Sequence, residues 1–117
     1  MSTWDKEVFS AEVNVDFLDE LSDLEPEDIV ETVRDAVLLA AQQEQAKPDE
    51  VANGRAAATI AAIWAGAPFS AGDIVDSYPF IRSMDAEVDE KLAEAAVTVL
   101  ENVDTEEDVD QFIEALS

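Results

Sequence analysis

Carboxylates are the only abundant side chains in this sequence that could do chemistry. The 117 residues include 29 Asp or Glu but no Cys and no His. The lack of both residue types excludes disulfides, thiol chemistry and every nucleophile that depends on histidine for its activation. Any enzymatic activity would therefore have to come from carboxylates that converge on one point, for example around a divalent metal ion.

Two groups of acids have the helical spacing of Mg²⁺ sites that pair acidic motifs across a bundle. They are Glu27, Glu31 and Asp35 in one segment, and Glu87, Glu90 and Glu94 in another. At about 100° per residue, however, Glu31 lies roughly 200° from Ile29, and Glu90 lies roughly 200° from Val88. We therefore expect both groups on solvated faces, and a metal-dependent nucleotide hydrolase is kept as the alternative function.

The net charge of −23, with a pI near 4.1, is the most unusual bulk property. A chain of this mass should expose about 6,200 Å², which gives one net negative charge per roughly 270 Å². Such a surface repels phosphate, so we expect neither nucleic acid nor an anionic membrane as a partner. A basic protein partner is one interpretation of the charge, and simple solubility in a salty medium is the other.

The charge is not spread evenly along the chain. Residues 1–46 carry a net charge of −11 and residues 73–117 carry −12, whereas residues 47–72 are neutral. This neutral stretch is rich in alanine, and a helix that is apolar on most of its circumference is usually buried. We therefore predict a central helix over about residues 49–65. Gly54 should mark a close contact in it, because glycine otherwise costs up to about 1 kcal/mol inside a helix.

Amphipathic helices are predicted on the N-terminal side of this centre. Ser10 is the predicted N-cap of the first helix, whose apolar stripe is Val13, Phe17, Leu18, Leu21 and Leu24. Pro26 should open the second helix, which is expected to run to about Gln45, because proline is well tolerated at the first helical position. Its apolar stripe is Ile29, Val33, Ala36, Val37 and Ala40.

Shorter helices are predicted on the C-terminal side. Gly66 and Pro68 should end the central helix, and Ser70 should cap a short helix that stops near Ser77. A connector over residues 77–84 then leads to a helix capped by Asp85, and a last helix begins after Thr105. Apolar positions in these last two helices are Val88, Leu92, Ala95, Ala96, Val99, Val103, Val109, Phe112, Ile113 and Leu116. The fold class is thus all-α, a compact bundle of five to six helices in a single domain over residues 1–117.

Three residues are candidates for a role beyond packing. Arg55 is the only charged residue between Val51 and Gly72. A semi-buried arginine normally pairs with a carboxylate, so a structural ion pair is the first interpretation and a ligand contact the second. Trp4 should pack the N-terminal segment onto the bundle, and Tyr78 should plug the core from the connector. Both aromatic residues could instead belong to an interaction surface.

The N-terminal arrangement resembles a bacterial domain-of-unknown-function family, the one numbered 4259. The residues that carry the resemblance are Trp4, the segment 9–12 with sequence FSAE, the segment 16–18 with sequence DFL, and the Pro-initiated, alanine-rich helix that follows. The family typically has glycines between the tryptophan and the phenylalanine, where this chain has residues 5–8, DKEV. The resemblance implies a small, acidic, helical domain over most of the chain, with no assigned activity and therefore no site to transfer.

We predict from these observations a cytoplasmic, non-enzymatic interaction protein whose acidic surface binds a basic protein. The cytoplasm is expected because charged residues 5–7 interrupt the N-terminus, where a signal peptide would be apolar. No cofactor and no metal is expected. The alternatives that remain are the carboxylate-based nucleotide hydrolase and an acidic surface that serves only solubility.

Overall fold

A computed structural model of the chain describes residues 8–9, 11–42, 47–66, 76, 78, 80–83, 88–101 and 110–116. Within these ranges the elements are helical and no strand occurs. In chain order they are α1 (Glu12–Ser22), α2 (Pro26–Ala41), α3 (Pro48–Trp64), α4 (Phe80–Ser83), α5 (Glu90–Glu101) and α6 (Asp110–Leu116). The radius of gyration is 12.5 Å, close to the roughly 13 Å of a compact domain of this length. The predicted all-α bundle is therefore confirmed.

The predicted central helix is α3, and it packs against each of the other five described helices. Every residue from Ala56 to Ile63 is buried, so the helix is enclosed on all sides along this stretch. Small side chains make this possible, because they let several neighbouring helices approach one axis closely. As predicted, a glycine follows the end of α3: Gly66 comes directly after the C-cap residue Ala65 and has a φ of 111°, a conformation that favours glycine over other residues.

Gly54 is the point of closest approach between α3 and α2. A Cβ atom at this position would lie 2.0 Å from the Ala40 Cβ and 2.9 Å from the Ala36 carbonyl oxygen. Both distances are far below van der Waals contact, so only glycine fits here. The close contact that the sequence predicted at Gly54 is confirmed.

Proline opens both α2 and α3. Pro26 and Pro48 occupy the start of their helices, where the missing N–H costs nothing, and acids follow in each first turn. At the start of α3 the Lys47 N–H donates to Glu50 Oε1 over 2.9 Å, which satisfies a backbone donor that no helical carbonyl can reach. α2 ends at Ala41 and not near Gln45, because Gln42 already leaves the helical conformation, with φ −98° and ψ 60°.

The first helix differs from its prediction at both ends. Its N-cap position is Ala11 and not Ser10, and no side chain caps it. Leu24 lies beyond the helix and is 37 % exposed, so it is not part of the buried stripe. Asn14 is buried in its place, at 2 % exposure, together with Phe17, Leu18 and Leu21. The Asn14 Nδ2 donates to the Val8 carbonyl over 2.7 Å and so ties the segment before α1 to the helix.

The C-terminal elements also differ from their predicted bounds. The predicted connector contains one helical turn, α4, which packs on α3. Val88 and Asp89 are not helical, so the helix that was predicted from Asp85 is described only from Glu90. The predicted caps Ser70 and Asp85 lie outside the described residues, as do Pro68 and the predicted start of the last helix at Thr105. Phe112 and Leu116 of α6 are buried as predicted, and Ile113 is half-buried.

No helix among the described residues is both long enough and apolar enough to cross a bilayer.

Candidate functional site

The acidic side chains of the described helices lie mainly on exposed faces. On α1 and just beyond it, Glu12, Asp16, Asp19 and Asp23 are all exposed. Their spacing of i, i+4, i+7 and i+11 places them on one side of the helix, along about 16 Å. We call these four residues the α1 acidic stripe. The helix contains no Lys or Arg, so nothing within it neutralises the stripe.

The two acid groups considered for a metal site also face outward. Glu27, Glu31 and Asp35 are exposed on α2, and Glu90 and Glu94 are exposed on α5, as their helical positions predicted. Glu87 lies outside the described residues. Within the described ranges, no three acidic side chains are arranged so that they could hold a metal ion together. The described carboxylates of these two groups thus lie on exposed helix faces and do not converge on a shared centre.

Tyr78 contacts the α1 acidic stripe. Its hydroxyl donates to Asp19 Oδ1 over 2.5 Å, and its ring is half-buried. The hydrogen bond to Asp19 raises the pKa of the Tyr78 hydroxyl, with smaller contributions from partial burial and from the charges of Asp19 and Asp16. The same ring meets Phe80 edge to face, with the ring centroids 6.3 Å apart and the planes at 65°. Tyr78 therefore links α1 to the segment that leads into α4.

Trp64 connects the end of the central helix to the same region. It is half-buried, and its Nε1 donates to the Phe80 carbonyl over 3.3 Å. Phe80 itself is buried against the core. The aromatic residues of this region therefore pack α4 onto the bundle, and Tyr78 adds a polar contact at its edge. The other tryptophan, Trp4, lies outside the described residues, so its predicted packing role stays a prediction.

Arg55 is half-buried on α3, as expected for a charged residue in the central helix. Its carbonyl accepts the Thr59 hydroxyl over 2.8 Å. Among the carboxylates that the structure describes, none lies within ion-pair distance of its guanidinium. Acids in the segments outside the described residues are untested as partners, so both the ion pair and the ligand contact stay predictions.

The ion pair that the structure does describe joins two other residues. The Arg34 Nη2 of α2 donates to Asp89 Oδ2, while Asp89 Oδ1 accepts the Leu92 backbone N–H over 2.8 Å. One carboxylate thus caps α5 and ties it to α2. The bond from Leu92 lowers the pKa of Asp89, and the nearby Arg34 adds to this effect. The spacing from Asp89 to Leu92 is that of an N-cap and its third residue, a signal that the sequence carries.

A shallow groove lies between α5 and the end of α6. Glu94, Val97, Thr98 and Leu116 line it, and its volume is 430 Å³. Val97 is half-buried and Leu116 is 8 % exposed, so the floor is apolar, while Glu94 stands exposed at its edge. The Thr98 hydroxyl donates to the Glu94 carbonyl over 3.0 Å. We call these four residues the α5–α6 groove. None of them was singled out as a site from the sequence, because their individual types are ordinary for a helix surface.

Comparison with known proteins identifies the family of this chain. Neither the curated proteins nor the solved structures contain a match. A family model described as "Domain of unknown function (DUF4259)" matches residues 2–115, which is nearly the whole chain. The match thus extends well beyond the N-terminal segment that carries the resemblance, and the chain belongs to the DUF4259 family.

Proposed function

We propose that this chain is a non-enzymatic interaction module that binds a basic protein through its acidic surface. The observation that carries the proposal is the placement of the acids. They occupy the exposed faces of α1, α2 and α5, and among the described side chains the one ion pair is that of Arg34 with Asp89. On these three described helices, most carboxylates therefore face solvent, where an outside partner can reach them.

Charge of this kind favours a particular mode of binding. Complementary charges accelerate encounter and select partners, while like charges suppress wrong ones. A phosphate-bearing ligand would meet repulsion, whereas a lysine- or arginine-rich surface would be attracted from about one screening length, near 8 Å at physiological salt. We place the module in the bacterial cytoplasm, where basic proteins that handle nucleic acids are one class of partner with the required charge.

The proposal is tested by equilibrium binding of the full chain to a fluorescently labelled lysine-rich helical peptide. We expect binding at low ionic strength, measured by fluorescence anisotropy, with an affinity that falls steeply as NaCl is raised to about 0.5 M. A peptide in which glutamine replaces every lysine is the matched control and should not bind. Pull-down from a bacterial lysate at low salt, followed by elution at high salt, would then identify natural basic partners.

Three outcomes distinguish the possibilities. Salt-sensitive binding of the lysine peptide alone supports the proposal. Binding that is equal for both peptides, or insensitive to salt, contradicts it. No binding of either peptide, together with no basic protein in the low-salt pull-down, favours a surface whose charge serves only solubility.

A further inference from the structure

The α5–α6 groove combines a concave apolar floor with acids at its edge. Val97 and Leu116 provide the floor of the groove, whose volume of 430 Å³ is open to solvent. The α1 acidic stripe, by contrast, is a row of exposed carboxylates on a helix that packs on α2 and α3. The groove therefore offers a contact that charge alone does not provide.

The charges around the groove are arranged along one face of α5. Glu90, Glu94 and Glu101 fall within about 40° of each other on the helix and are all exposed. They span the length of α5, with Glu94 in the wall of the groove. The one cation on this helix, Lys91, is also exposed and lies about 60° from Glu94. The face next to the groove thus has a net negative charge.

We propose that the α5–α6 groove is the docking site for a basic amphipathic helix of a partner protein. This inference rests on the proposed function and names the place where it is carried out. One apolar side chain of the partner enters the groove between Val97 and Leu116, and lysines or arginines one turn away pair with Glu94 and its neighbours on α5. This is the helix-in-groove mode of recognition, and charge complementarity requires the partner helix to be positively charged.

The groove is large enough for an apolar anchor. Its volume of 430 Å³ exceeds that of one large aliphatic or aromatic side chain. Because the floor is apolar, the anchor contributes through burial, and truncating such an anchor commonly weakens binding by about fivefold or more. The flanking cations contribute through pairs at the rim, which are weaker and sensitive to salt.

The test uses the full chain and two labelled helical peptides, one with a leucine between lysines and one in which alanine replaces that leucine. Two variants of the chain carry the same change of charge: E90Q/E94Q/E101Q at the groove and D16N/D19N/D23N at the α1 acidic stripe. A third variant, V97N, makes the floor polar. Circular dichroism checks that each variant is folded, and the triple variants replace only exposed side chains.

We expect the groove triple variant to weaken leucine-peptide binding about tenfold more than the stripe variant does. In the wild-type chain the leucine peptide should bind at least about fivefold more tightly than the alanine peptide, and V97N should remove that difference. Equal weakening by both triple variants, with salt-sensitive binding intact, overturns the groove while leaving the proposed function in place. Failure of both peptides to bind at low salt overturns both proposals.

Discussion

At the scale of single residues, Tyr78 is the most informative side chain because it is the one tyrosine of the chain. Its hydroxyl donates to Asp19 Oδ1, and Asp16 lies close enough to influence it electrostatically. A phenolate at this position would lose the hydrogen bond and stand beside two carboxylates. The neutral form is therefore favoured, and the pKa of Tyr78 is raised above the ordinary value near 10.

We predict that the tyrosine absorbance of the native protein titrates at higher pH than that of the unfolded chain. With a single tyrosine, the phenolate signal reports Tyr78 directly. Because the folded pKa is above the unfolded one, the contribution of Tyr78 to stability is fully present below about pH 10 and is lost as the pH rises through the folded pKa. D19N should move the native pKa of Tyr78 down toward its ordinary value, since it removes the charge but keeps an acceptor oxygen.

D23N is the matched control for this titration. Asp23 belongs to the same acidic stripe and is exposed, but it does not contribute to the raised pKa of Tyr78. The control should leave the titration of Tyr78 nearly unchanged. If D19N and D23N give the same curve as the wild type, the negative charge of Asp19 is not the cause of the raised pKa.

Contacts of this kind could not be predicted from the sequence. Tyr78 and Asp19 are 59 residues apart, and Arg34 and Asp89 are 55 residues apart. Helical periodicity predicts which face of a helix is exposed but not which exposed side chains of two helices meet. Asn14 was missed for a different reason. It occupies a buried position in the i, i+3, i+4, i+7 pattern with Phe17, Leu18 and Leu21. A stripe defined by apolar residues does not include it, because asparagine is polar.

At the scale of helices, the contact between α2 and α3 depends on the missing side chain of Gly54. The backbone carbonyl of Ala36 and the methyl of Ala40 fill the space that a Cβ would need. Glycine is unfavourable inside a helix by up to about 1 kcal/mol relative to alanine, so its presence reflects the tertiary contact and not the helix itself. Replacing Gly54 by alanine would therefore have two opposite effects on stability: it would improve the helix propensity of α3 and would create a clash with α2.

We predict that Gly54→Ala destabilises the protein by about 1 to 2 kcal/mol, despite the better helix propensity of alanine. Overpacking a close contact typically costs about 1 to 3 kcal/mol, which exceeds the gain of up to about 1 kcal/mol. Here the Ala40 methyl would lie only 2.0 Å from the new Cβ, so α2 and α3 must move apart. Urea unfolding followed by circular dichroism measures the change.

A second substitution tests the cause. Ala40→Gly in the Gly54→Ala background removes the closest clash, so the double variant should be more stable than the sum of the two single changes predicts. The double variant should regain only part of the stability that Gly54→Ala loses, because the Ala36 oxygen remains 2.9 Å from the new Cβ. A Gly54→Ala protein as stable as the wild type would show that this contact does not limit the approach of the two helices.

Helices were more predictable than their ends. The alanines of α3 and its neutral charge indicated the central helix, because a helix enclosed on all sides must be apolar all round. Its neighbours were predicted from their apolar stripes for the same reason. The ends were harder to predict because several nearby residues can each cap the same helix, and apolar periodicity does not indicate which of them does. Asp85 and Asp89 are both plausible caps for α5, and Asp89 is distinguished by Arg34, which lies on another helix. The α5–α6 groove escaped prediction because it forms only when two helices meet.

At the scale of the whole molecule, the surface and the charge together set the behaviour in salt. The accessible surface is 6576 Å², near the roughly 6,200 Å² expected for this mass. Spread evenly, a net charge of −23 would place charges about 17 Å apart, beyond the screening length of about 8 Å at physiological salt. Acids one helical turn apart are much closer, as with Glu27, Glu31 and Asp35 on α2. Repulsion within such groups is the larger contribution to self-repulsion.

We predict that the free energy of unfolding rises with ionic strength and that neutralising one acidic group reduces this dependence. Like charges at i and i+4 destabilise a helix by about 0.2 to 0.5 kcal/mol per pair at low salt, and E31Q removes both such pairs while keeping the favourable charge of Glu27 in the first turn. This variant should be more stable than the wild type at low salt and should converge with it at high salt. The charge-conserving variant E31D should keep the salt dependence of the wild type.

Denaturation series in NaCl, KCl and MgCl₂ at matched ionic strength separate screening from specific binding, because screening makes the three salts nearly equivalent. Stabilisation by Mg²⁺ alone, at an ionic strength where NaCl has no effect, would instead indicate a cation site and would favour the carboxylate-based hydrolase over an interaction surface.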